Sequence, residues 1–427
     1  MMDMDTGCSI SLDDLDGPRL LRREELVASR RLDALCFPEF AGEAEQADGL
    51  HLGETASACG ESAHTPPRRG GMQVICHQGE PVSQIGIWHS QVSVYGSPLR
   101  VASIGSVCTH PDYRGLGLAT RLLDHCARQL TAEGARLMLV SGDRELYRRA
   151  GCVASQEFEH VVLKPGQVDL RVDGLALRPA TESDASLCSR LYQTEPVRFV
   201  RCVEVFTRHF CQPEEFPQAE DWIVELRGRP VAYLFLSFPW ENLREPDSGV
   251  REVYEYAGSR VALAGALAEV MARLDLRGLR MFVPWQDADF LRLLHERGVA
   301  GVRLPLPEHT MRIVNLPGLM SDLRDYVEAC FDARLWRGLR FEQEGDRFRA
   351  VLGRERLELD GGEITRLVMG APADGRSRPQ TVGINVRGRT VNVRGRTINV
   401  RSVSGTLGEI IPALFPLPSF LPGLNFR

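Results

Sequence analysis

The sequence predicts an α+β protein of three domains, and three observations carry this prediction. First, 427 residues are more than one ordinary hydrophobic core accommodates. Second, strand-like runs alternate with amphipathic helical runs in an order that occurs twice along the chain. Third, from about Glu308 onward the pattern changes to one helix followed by short alternating strands with glycine turns. We therefore expect domains at 1–165, 175–307 and 308–427, the second being a diverged copy of the first.

The composition excludes several function classes. The chain is 43% hydrophobic and 25% charged, with a formal net charge of -6; a nucleic-acid-binding protein as a whole would need excess Lys and Arg. No apolar run approaches the roughly 20 residues of a membrane-spanning helix, and the acidic N-terminus does not resemble a secretory signal. The eleven cysteines include no C-x-x-C pair, which argues against a zinc site or a disulfide framework. We expect a cytoplasmic protein without a metal.

The first unit reads as a helix, three strands, a helix, a strand, a helix and a strand. "REELVASRRLDALCF" has helical spacing of its leucines, and residues 42–71, rich in Gly, Ser and Pro, predict a long flexible loop. "MQVICHQ", "VSQIGIWHSQVSVYG" and "LRVASIGSVCTHP" predict an antiparallel meander. A helix begins at Leu118, "ARLMLVSG" is a strand buried on both faces, "RELYRRAG" is a short helix, and "EFEHVVL" is expected to close the unit near Leu163.

The remaining chain repeats this order and then departs from it. "KPGQVDLRVDG" reads as a linker, and Thr181 with Asp184 forms a predicted capping box that opens the second unit. In the third unit a seven-residue repeat, "NVRGRTV" then "NVRGRTI", is either an anion-binding patch or a hairpin with solvated arginines, and we favour the hairpin. The apolar, proline-rich end "LFPLPSFLPGLNFR" is expected to dock on the protein.

The stretch "HPDYRGLGLATRLL" carries the chemistry. Arg114, Gly117 and Ala119 form the pattern R-x-x-G-x-A at a strand-to-helix turn, where small residues let backbone amides approach an anion and the helix dipole favours negative charge. No G-K-[ST] follows, which argues against a Walker loop, and no G-x-G-x-x-G occurs, which argues against a dinucleotide fingerprint. A pyrophosphate bound without metal fits the loop.

Together with the strand before it and the buried strand and tyrosine-bearing helix after it, this loop resembles the GCN5-related N-acetyltransferases, the GNAT family, over about Leu26 to Leu163. The resemblance implies an acetyl-CoA co-substrate, with its pyrophosphate on the loop amides and its pantetheine arm on the free edge of a splayed strand. The residues that it assigns to the donor site are Val107, Cys108, Thr109, Arg114, Gly115, Leu116, Gly117, Leu118, Ala119, Thr120, Gly142 and Asp143.

Tyr147 matches the tyrosine that these enzymes place beside the thioester sulfur. An amine attacks the acetyl carbonyl, and a nearby acid stabilises the leaving thiolate by donating a proton; a phenol is protonated at neutral pH and suits this role. The alternative is a tyrosine that only packs. His110, which precedes a proline, and His125, on the loop helix, are weaker candidates for a base.

The second copy lacks the matching residues: if Arg260 stands where Arg114 does, Leu263 replaces Gly117, and Leu294 replaces Tyr147. This copy is expected to scaffold the first, with Glu252 and Glu255 either lining an acceptor pocket or simply paired.

The whole chain resembles the enhanced intracellular survival (Eis-like) acetyltransferases, with two GNAT-like mixed-sheet domains and a sterol-carrier-like C-terminal α+β domain. That resemblance implies an amine acceptor (a small-molecule amine, an aminoglycoside-like amine or a lysine), a homo-oligomer, and the C-terminal carboxylate as general base. The last would be that of Arg427, although here an arginine follows the aromatic residue that ends the family's chains. A non-catalytic acyl-CoA-binding or lipid-binding protein is the alternative function.

Overall fold

The computed structural model describes residues 11–38, 70–166, 171–211, 220–237, 249–330, 338–370, 391–392, 397–398 and 407–426. The flexible loop predicted at 42–71 lies outside them up to residue 69, and so does Arg427. Mixed sheets covered by helices make up the described parts of the chain, which confirms the predicted α+β class. None of the described helices is long and apolar enough to cross a membrane.

The first unit follows the predicted order, with one additional strand at its start. Its elements are β1 (Leu15–Leu20), α1 (Leu26–Cys36), β2 (Gly71–His77), β3 (Glu80–Val94), β4 (Ser97–Thr109), α2 (Leu118–Ala132), β5 (Leu137–Ser141), α3 (Glu145–Arg149) and β6 (Phe158–Leu163). Strand β1 pairs antiparallel with β2; sequence reasoning missed it because its residues do not alternate between apolar and polar. The meander β2–β3–β4 is antiparallel, and β4 runs parallel to β5.

The second unit repeats this arrangement. Its elements are β7 (Leu175–Pro179), α4 (Ala185–Gln193), β8 (Val197–Phe199), α5 (Val203–Cys211), β9 (Glu220–Leu226), β10 (Arg229–Ser237), β11 (Val250–Gly258), α6 (Arg260–Arg273), β12 (Gly278–Pro284), α7 (Ala288–Glu296), β13 (Gly301–Leu304) and β14 (His309–Ile313). The predicted capping box is present, since Thr181 and Asp184 each accept from the other's backbone N–H. Strands β11 and β12 are parallel, as β4 and β5 are in the first unit.

The two units exchange their last strands. The expectation that β6 closes the first unit is wrong: β6 lies in the second sheet, between β12 and β13. In return β14, which follows the second unit, pairs with β5 and completes the first sheet. Both strands mix apolar and polar residues, FEHVVL in β6 and HTMRI in β14, so their pattern could not decide which neighbour each one takes. Each sheet therefore depends on a strand from the other half of the chain.

The third unit packs on the first sheet. Its elements are α8 (Leu316–Asp322), α9 (Arg324–Cys330), β15 (Leu339–Glu344), β16 (Arg347–Leu352), β17 (Glu355–Asp360), α10 (Gly361–Met369), β18 (Val391–Asn392), β19 (Thr397–Ile398) and α11 (Leu407–Leu414). Strands β15–β17 form a meander. Val101 and Ile313 of the first sheet share one buried cluster with Leu319 and Phe348 of the third unit, so burial of this face stabilises both parts.

Two further predictions concern the end of the chain. Strands β18 and β19, inside the "NVRGRT" repeat, pair antiparallel as in a hairpin; the repeat's arginines lie outside the described residues. Phe415 and Phe420 of the tail are buried, with 5% and 2% of their surface exposed. The tail is therefore docked, as predicted.

Candidate active site

The loop before α2 has an open, glycine-dependent backbone. Gly115 and Gly117 have φ angles of +82° and +73°, in the left-handed region where residues with a Cβ are strained. Nothing lies within 4 Å of the place where either residue would carry a Cβ atom. Gly117 caps α2 without a side chain. The two glycines thus turn the chain into the helix and leave the space in front of it clear.

The amides of this loop point into that space. Among the described residues, no protein acceptor receives a hydrogen bond from the backbone N–H groups of residues 115–120; the first loop-to-helix bond is Arg121 N to Gly117 O, at 3.0 Å. Arg114 is exposed and donates from Nε to the carbonyl of Thr109, at 3.3 Å. Unpaired amides at a helix N-terminus form an anion-binding site, so the loop fits a pyrophosphate.

His110 and His125, the weaker candidates for a base, lie in the turn before the loop and on α2. His110 caps the turn Pro111–Tyr113, its Nδ1 accepting from Asp112 N at 3.3 Å. His125 lies on α2, where burial and Arg128 lower its pKa, and no hydrogen bond joins its ring to another described residue.

Strand β4 separates from β5 beside this loop. The two strands pair from Val101 to Ile104 of β4. Beyond Ile104, β4 pairs with β3 alone, and the register shifts where Ser106 has a φ of +46°. The bulge leaves the edge of residues 105–109 that faces β5 without a partner among the described strands; we call this gap between the two parallel strands the cleft. This is the geometry that the GNAT resemblance implies for residues 107–109.

Gly142 and Tyr147 lie at the other side of the cleft. A Cβ atom on residue 142, whose φ is +138°, would come within 2.9 Å of Tyr147 Cε2, so the tyrosine ring rests on this glycine's backbone. The Gly142 N–H donates to Glu308 O at 2.5 Å, and its carbonyl accepts from Thr310 Oγ1 at 2.8 Å. The backbone of Gly142 is therefore already paired with the segment before β14. Asp143 is exposed and pairs with Arg148.

Tyr147 is held in the core that lies under α2. Its side chain is 3% exposed and shares a buried cluster with Val107 of β4 and Leu118 of α2. Burial raises the pKa of Tyr147, and Arg144 opposes this in part. The phenol is consequently protonated at neutral pH, as a proton donor must be.

On the opposite face of the sheet, four polar side chains gather between α1 and the strands. Cys108 donates to Asp33 Oδ1 at 3.7 Å, and the Ser29 hydroxyl donates to Gln84 Oε1 at 2.8 Å. Burial raises the pKa of Asp33 to about 6, against the opposing effects of Gln84 and Cys108. Asp33 was not predicted from the sequence. The pattern that could have indicated it is an acidic residue directly after Leu32, on the buried side of an amphipathic helix.

The corresponding cleft of the second unit is closed by its own side chains. Helix α6 begins directly after its cap, Ser259, so the counterpart of Gly117 is Ser259 rather than Leu263. Gly258, the last residue of β11, directly precedes the cap, and its N–H donates to Glu195 Oε1 at 3.0 Å. The Arg260 guanidinium bridges Glu195 at 2.6 Å and Asp287 at 2.8 Å. Behind it remains a cavity of about 310 Å³.

Leu263 and Leu294 are both fully buried, and the Leu263 N–H is used within its own helix. The second copy thus has no counterpart of the anion loop or of the tyrosine at these positions.

The tail ends at the second sheet. The carboxylate of Glu255, on β11, forms an ion pair with Arg201 at 2.7 Å and accepts from Tyr233 and from Leu424 N, both at 2.8 Å. Of the two roles considered for Glu255, lining an acceptor pocket or being paired, the structure shows a paired carboxylate. Arg201 also donates to Pro422 O at 2.9 Å. Arg427, the predicted source of the general base, lies outside the described residues.

Comparisons with known proteins agree with this geometry. The profile of a family described as "Acetyltransferase (GNAT) domain" matches residues 18–154, whereas no curated protein sequence matches. Among solved structures, a conserved Enterococcus faecalis protein has a TM-score of 0.54 at 14% identity, covering 80% of this chain and 84% of that one. A GCN5-related N-acetyltransferase from Anabaena variabilis has a TM-score of 0.53 at 14% identity, with the same coverage, 80% and 84%.

Eis1 from Mycobacterium abscessus has a TM-score of 0.52 at 15% identity, covering 84% of this chain and 90% of that one. At such identities these structures show a shared fold, and the family match carries the chemistry. No group of three or more His, Cys, Asp or Glu side chains within the described ranges could hold a metal. Residues 18–154 thus match the GNAT acetyltransferase domain, and the chain shares its fold with a GCN5-related N-acetyltransferase and with Eis1.

Proposed function

We propose that the chain transfers an acetyl group from acetyl-CoA to an amine, in one direct step at the cleft between β4 and β5. The observation that carries this proposal is the set of unpaired amides at residues 115–120, directly beside the separated strands. These amides and the N-terminus of α2 would bind the donor's pyrophosphate. Arg114, exposed at the same loop, adds a positive charge.

The backbone of residues 107–109 would bind the pantetheine arm, since this edge of β4 has no partner strand. Gly142 would not bind the donor through its backbone, because its N–H and C=O are both paired within the protein. Its role would be steric, since a side chain at this position would collide with the Tyr147 ring. Asp143 is at the exposed end of the same channel.

In the reaction, the amine nitrogen bonds to the acetyl carbon as the carbon–sulfur bond breaks. Tyr147 donates its phenolic proton to the leaving sulfur, and the amine gives up one proton to a base, so that an amide and a free thiol result. The thioester supplies the activated acyl group. Because burial raises the pKa of Tyr147, the phenol carries its proton at neutral pH before the reaction.

The same proposal assigns roles to the domains and partners. Residues 1–165 supply the donor site, residues 175–307 act as its scaffold, and residues 308–427 form the sterol-carrier-like domain; the exchanged strands β6 and β14 tie the first two together. The acceptor is a cationic amine, favoured modestly by the net charge of -6. A homo-oligomer in the cytoplasm is part of the proposal, on the resemblance to Eis-like enzymes.

Thiol release from acetyl-CoA over a panel of polyamines, aminoglycosides and lysine peptides tests the proposal. We expect Tyr147→Phe to lower kcat by roughly 10²-fold with little change in KM for acetyl-CoA, and Tyr95→Phe, at a half-exposed residue, to leave both unchanged. Acetyl-CoA binding without thiol release from any amine would refute the enzyme and favour the non-catalytic alternative.

A matched pair of glycine substitutions tests the loop of residues 114–120, which we call the donor loop. Gly117 and Gly228 have the same φ, +73°, with nothing within 4 Å, so an arginine strains both backbones equally. Gly117→Arg should abolish acetyl-CoA binding in calorimetry, and Gly228→Arg, in the β9–β10 turn, should preserve it. Equal affinities in the two variants would show that the loop does not bind the donor.

A further inference from the structure

The unpaired end of β4 has different side-chain neighbours on its two faces. Successive side chains of a strand point to opposite sides, and here Val107 packs with Tyr147 under α2 whereas Cys108 contacts Asp33 under α1. The proton donor and the Asp33 carboxyl thus flank the same unpaired strand segment from opposite faces. Direct transfer needs a proton acceptor for the amine and a proton donor for the sulfur, and the two faces offer one of each.

We propose that Asp33 is the general base that takes the proton from the acceptor amine, which enters from the α1 face of the cleft. This inference rests on the proposed acetyl transfer and deepens it by naming the second catalytic residue. The acceptor arrives as an ammonium ion, which a carboxylate attracts. Asp33 takes one proton and frees the nitrogen lone pair for attack; the second N–H proton, released as the amide forms, returns to the Tyr147 phenolate that has protonated the sulfur. Asp33 is fixed for this task because α1 packs across β3 and β4, with Ser29 bonded to Gln84 one turn earlier and Cys36 bonded to Thr109 O one turn later.

The surroundings of Asp33 suit a base that works near neutral pH. From β4 it faces the Cys108 thiol, from β3 the Gln84 amide, and beside Cys108 lies Cys36 of its own helix. Burial raises the pKa of Cys108 far above neutrality, so that thiol stays uncharged. Burial also raises the pKa of Asp33 to about 6, which leaves the carboxyl ionised at pH 7 and makes it more basic than an ordinary aspartate.

The C-terminal carboxylate is the rival base. In the described tail, Pro422 and Leu424 are bonded to Arg201 and Glu255 in the second unit, whereas Asp33 contacts β4 of the first sheet. Deletion of Arg427 is therefore an arm of the test.

The test compares two acceptors of one size: ethylamine, protonated at neutral pH, and trifluoroethylamine, which is not. Thiol release is measured for wild type, Asp33→Asn, Asp33→Glu, the Arg427 deletion, and Asp124→Asn as a control on the exposed face of α2. We expect Asp33→Asn to lower kcat/KM for ethylamine by roughly 10²-fold and to remove the acidic limb of its pH profile near pH 6. The loss for trifluoroethylamine should be several-fold smaller, KM for acetyl-CoA should not change, and Asp33→Glu should restore part of the rate.

Each other outcome overturns the inference. An equal loss for both amines would assign Asp33 a structural role, and a loss only on deletion of Arg427 would make the C-terminus the base. If Asp33→Asn has the same kcat/KM as Asp124→Asn while the wild type is active, Asp33 is not the base, and the proposed acetyl transfer still stands. If wild type releases no thiol with any amine, the proposed acetyl transfer fails and the inference with it.

Discussion

Removing the charge of Glu255 should unfold the docking site of the tail. Glu255 and Arg201 have side chains that are 3% and 1% exposed, and their ion pair spans 2.7 Å. Glu255→Gln preserves the shape but leaves the Arg201 guanidinium buried without a counter-charge. Breaking one partner of such a pair costs about 3–5 kcal/mol, a large part of the total stability of a domain.

Urea denaturation at pH 7, followed by tryptophan fluorescence and circular dichroism, measures the loss, and protease sensitivity of the tail reports its release. The control is Glu296→Gln, which removes a pair with Arg292 whose side chains are 56% and 62% exposed; it should change the free energy of unfolding by less than about 0.5 kcal/mol.

A double variant separates charge burial from packing. Because the desolvation of two buried charges offsets most of their attraction, Arg201→Met combined with Glu255→Leu should recover most of the loss. If Glu255→Gln costs no more than Glu296→Gln, or if the double variant is less stable than the single one, the reasoning is wrong.

Three further outcomes follow from the fold and site. Gly142→Ala places a Cβ 2.9 Å from Tyr147 Cε2 and should lower kcat while sparing KM for acetyl-CoA; Gly166→Ala, also at a positive φ (+70°, against +138° for Gly142) but in open space, is the control in the same kinetic assay. Burial raises the pKa of Asp33 to about 6, so the folded protein favours the protonated carboxyl more than the unfolded chain does. The protein is therefore more stable below about pH 4, and it loses this stability as the pH rises through 6 and the buried carboxyl ionises. Asp33→Asn should accordingly stabilise the protein against urea by up to about 3 kcal/mol at pH 8 and by nothing at pH 4; a pH-independent difference would contradict the burial of this carboxyl. A fragment of residues 1–165 lacks β14 and leaves the edge of β5 unpaired, so it should aggregate in size-exclusion chromatography unless residues 166–427 are co-expressed, and a soluble monomeric fragment would refute this.

Local features of the sequence determined most of the first unit. The glycines at 115 and 117 require the left-handed backbone that the structure has, and the leucine spacing of α2 buries Leu118 and Leu122 as its periodicity predicts. Loop, helix and following strand are contiguous in the chain, so their geometry follows from short-range preferences, and the family resemblance could be drawn from them.

Long-range pairing was decided only by the tertiary structure. Strands β6 and β14 exchange sheets; a short strand can pair with either open edge, and the choice depends on the packing of the whole molecule. For the same reason the contact of Asp33 with Cys108, 75 residues apart, and the ion pair of Arg201 with Glu255 have no local signature. The sequence alone predicted the glycine loop before α2 and the short helix that carries Tyr147, since each is a local feature of a short segment. The tertiary structure decided which carboxylates are buried and what they face, because the burial that sets their chemistry arises only when distant segments pack together.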